Sequence, residues 1–213
     1  AVNDAMNAGI PVIAIDTGVS GADVTSFVAT DNQAVAKVQG SVAATLVADG
    51  DAIIYVTGNQ AQSTGQERRD GFMAGFTAAR PNSEVIVVPT EWNSQQAQEG
   101  VEAILNSRDD IKMVANAWDG GTMGAKAALE NLGYSAGDVK LVGFDGASDA
   151  IVAMDAGWVH ANTAQMLYQM GYQGIKAAAA AARGEDVVGR IDTGFFLVTP
   201  ETSSVYKDMV GIK

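Results

Sequence analysis

The sequence predicts an α/β protein in which helices cover parallel sheets. Short apolar runs alternate with amphipathic helical patterns along the chain, and strands that alternate with helices pair in parallel. The chain has 24 glycines against 4 prolines, which suits many tight turns between strands and helices. With 213 residues, 47% of them apolar, the chain is long enough for one large or two modest domains.

The predicted strands are apolar runs that turn residues bound and that are too short for helices. Before the first of them, the chain opens with AVNDAMNAG, which is typical of the second half of a helix that leads into a strand. We therefore expect the natural protein to have further strands before this sequence. The predicted strands are residues 11–16, 24–30, 52–57, 84–89, 112–117, 140–144, 159–163 and 195–199.

The segments between the strands carry helical patterns with one apolar stripe. In residues 33–48, Val35, Val38, Val42 and Leu46 recur at spacings of three and four residues, so one face of this helix packs on a core. The same reasoning predicts helices over residues 66–79, 95–105, 122–132, 148–154 and 166–182.

The composition excludes several classes of function. A formal net charge of −12 disfavours nucleic acid or an anionic membrane surface as a partner. No apolar run reaches the roughly 20 residues that a membrane-spanning helix needs, so no membrane insertion is expected. With no cysteine and one histidine, the chain offers no thiolate metal site and no visible nucleophile–histidine–acid constellation. We expect no cofactor, no metal and no enzymatic activity.

Five segments, in this order, resemble the ribose-binding branch of the periplasmic binding proteins. They are NAGIPVIAID, FVATDNQAVAKVQG, QSTGQERRDGF, VKLVGFDG and ANTAQMLYQMG, and together they extend over essentially the whole chain. The resemblance implies a type I periplasmic-binding-protein-like α/β fold with two doubly wound parallel-sheet lobes. Residues 1–31 and 166–195 would form an incomplete first lobe, and residues 32–165 and 196–199 a complete second lobe. Residues 200–213 are a tail assigned to neither lobe.

The same resemblance implies a receptor that captures a small carbohydrate-like solute and does not react with it. In this family the ligand lies outside the carboxyl ends of both sheets, and closure about a hinge creates the surface that an ABC permease recognises. A chemoreceptor is a further candidate partner. The expected location is the periplasm, or the cell exterior with a lipid tether. The alternative is the effector-binding domain of a LacI-type transcription regulator, which shares the fold, and a doubly wound hydrolase or kinase is a weaker one.

The resemblance also assigns ligand-binding residues whose chemistry suits a sugar. Sugars present hydroxyl groups and an apolar C–H face, so carboxylates, a guanidinium, an amide and an aromatic ring are suitable partners. Asp16 and Asp145, each at a predicted strand end, would accept hydrogen bonds from hydroxyls. Arg68 would donate to two neighbouring oxygens, and Gln165 would both donate and accept. Trp92 would stack on the ligand.

Two positions depart from the ribose pattern. Thr17 stands where the ribose-binding proteins have a second arginine, and Trp118 stands where the family usually has an asparagine. Because an indole donates one hydrogen bond and accepts none, the second change replaces polar recognition with an apolar face. We therefore expect a deoxy-sugar, a polyol or a similar small molecule in preference to ribose. The competing interpretation of Trp92 and Trp118 is that both are core residues.

Three further residues have structural interpretations. Asp119, directly ahead of GGTMGA, is expected to cap the helix that follows it. Arg69 is expected on the surface, because adjacent helical residues point in different directions and Arg68 is assigned to the site. The lone His160 is expected to be structural, not a ligand-binding or basic group.

Overall fold

The protein forms two compact units, each with its own sheet. The computed structural model describes residues 1–212. The smaller unit comprises Ala1–Asp31 and Gln165–Phe195, and the larger unit comprises Asn32–Ala164 and the chain from Phe196 onward. That these units correspond to the functional lobes of a receptor remains a prediction.

The elements alternate between strand and helix over most of the chain. In chain order they are α1 (Val2–Asn7), β1 (Ile13–Ile15), β2 (Ser26–Ala29), α2 (Asn32–Thr45), β3 (Ala52–Val56), α3 (Ser63–Ala79), β4 (Val85–Val88), α4 (Ser94–Leu105), β5 (Ile111–Asn116), α5 (Asp119–Asn131), β6 (Lys140–Asp145), α6 (Ser148–Asp155), β7 (Val159–Gln165), α7 (Leu167–Ala182), β8 (Arg190–Asp192), β9 (Phe195–Val198) and α8 (Ser203–Val210).

The larger unit is built on a six-stranded sheet in the order β4-β3-β5-β6-β7-β9. Strand β3 pairs in parallel with β4 and β5, and the pairs β5–β6 and β6–β7 are parallel as well. Every residue of β3 is buried. Its side chains alternate between two cores, with Ile54 packing on the side of α4 and α5, and Tyr55 on the side of Phe72 and Phe76 of α3. Helices therefore cover both faces of this sheet, which confirms the predicted α/β class.

The smaller unit contains a three-stranded sheet in the order β1-β2-β8, with both pairs parallel. Its core is small: Val28 of β2 packs with Met170 and Ala177 of α7. Outside this core, α7 exposes large apolar side chains, among them Tyr168 and Ile175. No described helix is long and apolar enough to span a membrane.

Two elements were not predicted from the sequence. Strand β8 reads RID, with two exposed residues and one partly buried, so no apolar run marks it, and it forms by pairing with β2. Helix α8 lies in the tail that was assigned to neither lobe. It belongs to the larger unit, where Tyr206 is 3% exposed and its ring lies 5.7 Å from that of Phe196.

Candidate functional site

Four of the seven side chains that the resemblance selects lie together in the larger unit. Arg68 is on α3, Trp92 follows β4, Trp118 follows β5, and Asp145 ends β6. Arg68 Nη1 is 2.9 Å from Asp145 Oδ1, and the Arg68 guanidinium lies 5.7 Å from the Trp92 ring centre. The Trp92 and Trp118 rings meet edge to face with centroids 5.3 Å apart. Strand ends that neighbour one another in the sheet thus assemble one cluster from distant parts of the sequence.

The orientation of Arg68 is fixed by acceptors of the protein itself. The residue is 4% exposed. Its Nε donates to Asn32 Oδ1 at 2.8 Å, and its Nη1 donates to the Ala117 carbonyl at 2.8 Å and to Asp145 Oδ1. The guanidinium lies 4.0 Å from the centre of the Phe144 ring, a cation–π distance. Nη2 takes part in none of these bonds, so the scaffold holds the guanidinium through two of its three nitrogens.

The backbone is strained at three of the residues assigned to the site. Among the described residues, the non-glycine positions with positive φ are Asp16 at 69°, Trp92 at 59° and Asp145 at 112°. Positive φ is uncommon outside glycine, and such strain concentrates at functional sites. This observation is independent of any sequence resemblance, and it supports the assignment of these three residues.

The two indoles form a corner at the edge of the core. Each is partly buried and packs against buried residues of the larger unit. Trp92 Nε1 donates to Gln62 Oε1 at 2.6 Å. The Trp92 ring lies directly over Gly58, where a Cβ atom would come 2.1 Å from ring carbons. The Trp92 indole therefore depends on a glycine beneath it. The core interpretation therefore holds for the buried part of each ring, and the ligand-binding role of both tryptophans remains a prediction.

The expectation that Asp119 caps its own helix is wrong. The N-cap of α5 is Trp118, and no side chain caps that end. Asp119 is 1% exposed and accepts hydrogen bonds from Asn162 Nδ2 and from the Ala147 backbone N–H, each at 2.7 Å. The pKa of Asp119 is raised to about 8, first by burial and then by the charge of Asp145, while the hydrogen bonds from Ala147 and Asn162 act in the opposite direction. Its partners lie on the strand and loop beside it.

Arg69 and His160 take structural positions. Arg69 lies on the surface, where it pairs with Asp70 at 2.7 Å. His160 is partly buried on β7, and its Nδ1 accepts from the Leu141 backbone N–H at 3.4 Å. Burial lowers the pKa of His160, and the nearby charge of Lys140 lowers it further.

The remaining assigned residues belong to the smaller unit. Thr17 Oγ1 donates to Asp16 Oδ2 at 3.0 Å, and the Asp16 backbone N–H donates to the Val28 carbonyl. Gln165 is the last residue of β7 and is 7% exposed. The ligand-binding role of these three residues remains a prediction.

Several residues of the cluster were missed from the sequence. Asn32 begins α2 directly after the strand segment FVATD. A position just after a strand indicates a site residue for Asn32 as strongly as it does for Asp145. In the sequence, Phe144 has only the pattern of a strand end, and Gln62 and Asn162 carry no signal of a site. Within residues 1–212, no group of three or more His, Cys, Asp or Glu side chains is placed to hold a metal ion.

Comparisons with known proteins show what the chain is similar to. Residues 1–186 match the family model described as the periplasmic binding protein domain. The ribose import binding protein of Escherichia coli (strain K12) is 30% identical over 201 residues, which are 94% of this chain and 67% of that protein. The D-allose-binding periplasmic protein of the same organism is 31% identical over 170 residues, 79% of this chain and 54% of that protein. The chain thus spans about two thirds or less of the length of these relatives.

Solved structures give the same result. An ABC transporter solute binding protein from Mycobacterium smegmatis with bound glycerol has a TM-score of 0.86 at 31% identity, with 96% of this chain and 70% of that one covered. A solute binding protein from Bacillus halodurans C-125 with bound myo-inositol has a TM-score of 0.89 at 28% identity, with 97% and 72% covered.

Proposed function

This chain belongs to the periplasmic binding protein family, and we propose that it captures a small carbohydrate-like solute for import through an ABC permease. The homologues of this chain are periplasmic sugar-binding transport proteins, which are not enzymes. The relatives reported above are named as import or periplasmic binding proteins, which favours a transport receptor over a transcription regulator. The periplasm is the proposed location, and the permease is the proposed partner.

One observation carries the proposal: a buried arginine is bonded to the Asp145 carboxylate and lies beside the Trp92 indole, which in turn meets the Trp118 indole. The Arg68 side chain is 5% exposed, whereas that of Asp145 is 27% exposed. A solute can therefore reach the carboxylate and the open side of the indoles while the guanidinium stays in place. Hydroxyl groups suit the charged pair, and the C–H face of a sugar suits the indoles. The binding surface in the larger unit is preorganised for such a ligand.

The ligand that we propose has an apolar face or edge. Trp118 presents a broad apolar surface with a single N–H donor, and it packs at the edge of two cores. Together with Thr17, which carries no charge, it favours a deoxy-sugar or a polyol over ribose. Glycerol, a polyol, is the bound molecule in one of the similar structures, which supports the polyol class.

The test is calorimetric titration of the complete gene product with D-ribose, D-allose, myo-inositol, glycerol and a set of deoxy-sugars. The chain has three tryptophans, so indole fluorescence provides a second measure of binding. Asp145→Asn should weaken binding of the preferred solute by about 10-fold or more, because a charge-assisted hydrogen bond is lost. Asp109→Asn is the matched control, since Asp109 is exposed and precedes β5, whereas Trp118 of the cluster follows the opposite end of that strand. If no member of this set binds, or if both variants bind as the wild type does, the proposal is wrong.

A further inference from the structure

The two residues that follow Asp145 are held by side chains from other elements of the larger unit. The Gly146 backbone N–H donates to Asn162 Oδ1 on β7 at 3.0 Å. The Ala147 backbone N–H donates to Asp119 Oδ2 on α5. Asn162 Nδ2 donates to Asp119 Oδ1, so the two side chains also bind one another. A continuous set of hydrogen bonds therefore fixes the turn directly after the strained backbone of Asp145.

A third side chain, from helix α8 late in the sequence, holds the same turn. Tyr206 on α8 donates its hydroxyl to the Gly146 carbonyl at 3.0 Å. Asp119, Asn162 and Tyr206 are 1%, 0% and 3% exposed, so none of them faces solvent. Gly143 leaves room for two of them, because a Cβ atom there would lie 2.4 Å from Asp119 Oδ1 and 2.5 Å from Asn162 Nδ2.

We propose that Asp119, Asn162 and Tyr206 form a clamp that holds Asp145 in its strained conformation toward Arg68 and so sets ligand affinity without contacting the ligand. The inference rests on the proposed function, since affinity is the property that the clamp would control. The three residues are positioning residues, and they act through the turn that they hold.

The chemistry of Asp119 supports a positioning role over simple core filling. A buried carboxylate is costly unless donors satisfy it, and an apolar side chain would fill the same space more cheaply. Each Asp119 oxygen faces an N–H group, one on the loop after β6 and one on β7. Without such bonds, the positive φ of Asp145 would relax toward ordinary values, because strained conformations persist only where their surroundings determine them.

The pattern of donors and acceptors gives a sharp test. Above the pKa of Asp119, which is raised to about 8, both carboxylate oxygens accept hydrogen bonds, and both of their partners in the clamp are N–H groups. In Asp119→Asn, the new amide has one acceptor and one donor at every pH, so the wild type and the variants are compared at a pH above this value. If the Asn162 amide turns over to accept from it, the Asn162 Nδ2 group then faces the Gly146 N–H. One donor therefore always faces another donor, and no rotation of either amide removes the conflict.

Exchanging the two residues removes that conflict. In the double variant Asp119→Asn/Asn162→Asp, one oxygen of the new carboxylate at position 162 accepts from the Gly146 N–H. The other oxygen of that carboxylate accepts from the new amide at position 119, whose own oxygen accepts from the Ala147 N–H. Each of the three bonds that join these two side chains to each other and to the Gly146 and Ala147 N–H groups has a counterpart, and the net charge is unchanged. Tyr206→Phe removes only the bond to the Gly146 carbonyl and keeps the ring. Asp109→Asn again controls for the loss of an acidic side chain.

The first readout needs no ligand. Hydrogen exchange by NMR should show the Gly146 and Ala147 amides exchanging about 10-fold faster or more in Asp119→Asn, within about 3-fold of the wild type in the exchanged double variant, and at an intermediate rate in Tyr206→Phe. The side-chain N–H signals of Arg68 should shift in the single variants and return in the double variant. Unchanged exchange and unchanged Arg68 signals in folded Asp119→Asn would overturn the inference.

The second readout is affinity for the best-binding solute of the set titrated above. We expect about 10-fold weaker binding in Asp119→Asn and recovery in the double variant. If Asp119→Asn does not fold, the double variant and Tyr206→Phe decide. A double variant with wild-type exchange but weakened binding would refute control of affinity by the clamp. If the wild type binds no solute, the proposed function fails, while the exchange data still show whether the clamp holds Asp145.

Discussion

The variants Arg68→Met and Asp145→Asn, made separately and together, measure how strongly the central ion pair is coupled. Methionine keeps the length of the arginine stem over the Phe144 ring, and asparagine tolerates the positive φ of Asp145 better than alanine does. A charge-assisted hydrogen bond is worth about 1.5–3 kcal/mol. Because the Asp145 side chain is 27% exposed, water screens the pair in part, and the asparagine oxygen can still accept from Nη1. We therefore expect a coupling free energy below this range, about 1 kcal/mol.

The single variants should differ in cost. Arg68→Met also removes the bonds to Asn32 and to the Ala117 carbonyl and leaves those acceptors buried, so it should lower the free energy of unfolding by about 3–4 kcal/mol. Asp145→Asn should cost about 1–2 kcal/mol, since the amide oxygen still accepts from Nη1.

Urea denaturation of the four proteins of this cycle gives the coupling. The matched control is the same cycle on Lys126 and Glu130, an i,i+4 pair on α5 of the larger unit whose side chains are 19% and 46% exposed. We expect about 0.3–0.5 kcal/mol there, falling toward zero when salt is raised to about 1 M, while the Arg68–Asp145 coupling persists. The claim that the scaffold fixes the Arg68–Asp145 pair is wrong if the coupling free energy of this pair is no larger than that of the control. It is also wrong if salt abolishes both couplings equally.

Three further predictions concern the tryptophan corner and Asp119. Trp118→Asn should weaken binding of the preferred solute by about 1–3 kcal/mol in calorimetry. The difference in affinity between that solute and ribose should become smaller. Unchanged affinities across the set would show that Trp118 does not contact the ligand. Gly58→Ala should displace the Trp92 ring, with altered indole fluorescence and weaker binding, whereas Gly171→Ala, which has open space around its Cβ position, should change neither. The pKa of Asp119 is raised to about 8 in the folded state from an ordinary 3.8. At a pH between these two values, Asp119 is therefore protonated more often in the folded protein than in the unfolded chain. The free energy of unfolding, measured by urea denaturation, should therefore fall by ~1–2 kcal/mol from pH 6.5 to pH 8. If Asp119→Asn shows the same dependence of this free energy on pH as the wild type, the prediction is wrong.

The strands of this protein were predictable because most of them are buried on both faces. A strand such as β3 reads AIIYV, and an uninterrupted apolar run of this length between turn residues has few other interpretations. Strand β8 lacks such a run, because Arg190 and Asp192 face outward and the strand exists through its pairing with β2. Helix α8 buries only Ser203 and Tyr206, too few residues to mark a helical stripe in the sequence.

Residues of the Arg68 cluster were predictable where the local sequence marks them, and not where their contacts are with residues far along the chain. Asp145 and Trp118 stand at strand ends, the expected position for ligand-binding residues in a parallel sheet. The partners of Asp119 lie 28 and 43 residues away along the chain. An aspartate after a strand and before a helix therefore has the local pattern of a cap, and only the folded structure shows that its oxygens turn to the neighbouring loop.

Under the proposed function, the contacts of the cluster fall into two groups, those that the fold fixes and those that change with the ligand. Arg68 is bonded to Asn32, Ala117 and Asp145 before any ligand arrives, so the cost of ordering it belongs to folding and is the same for every solute. Differences in affinity between solutes must then arise at groups whose contacts change with the ligand. The partly exposed side chains of Trp92 and Trp118 are the groups that we propose for this role, and Trp118 is also the residue at which the larger unit departs from the ribose pattern. Selectivity in this protein should therefore follow the shape of the indole corner, while the charged pair supplies affinity that related solutes share.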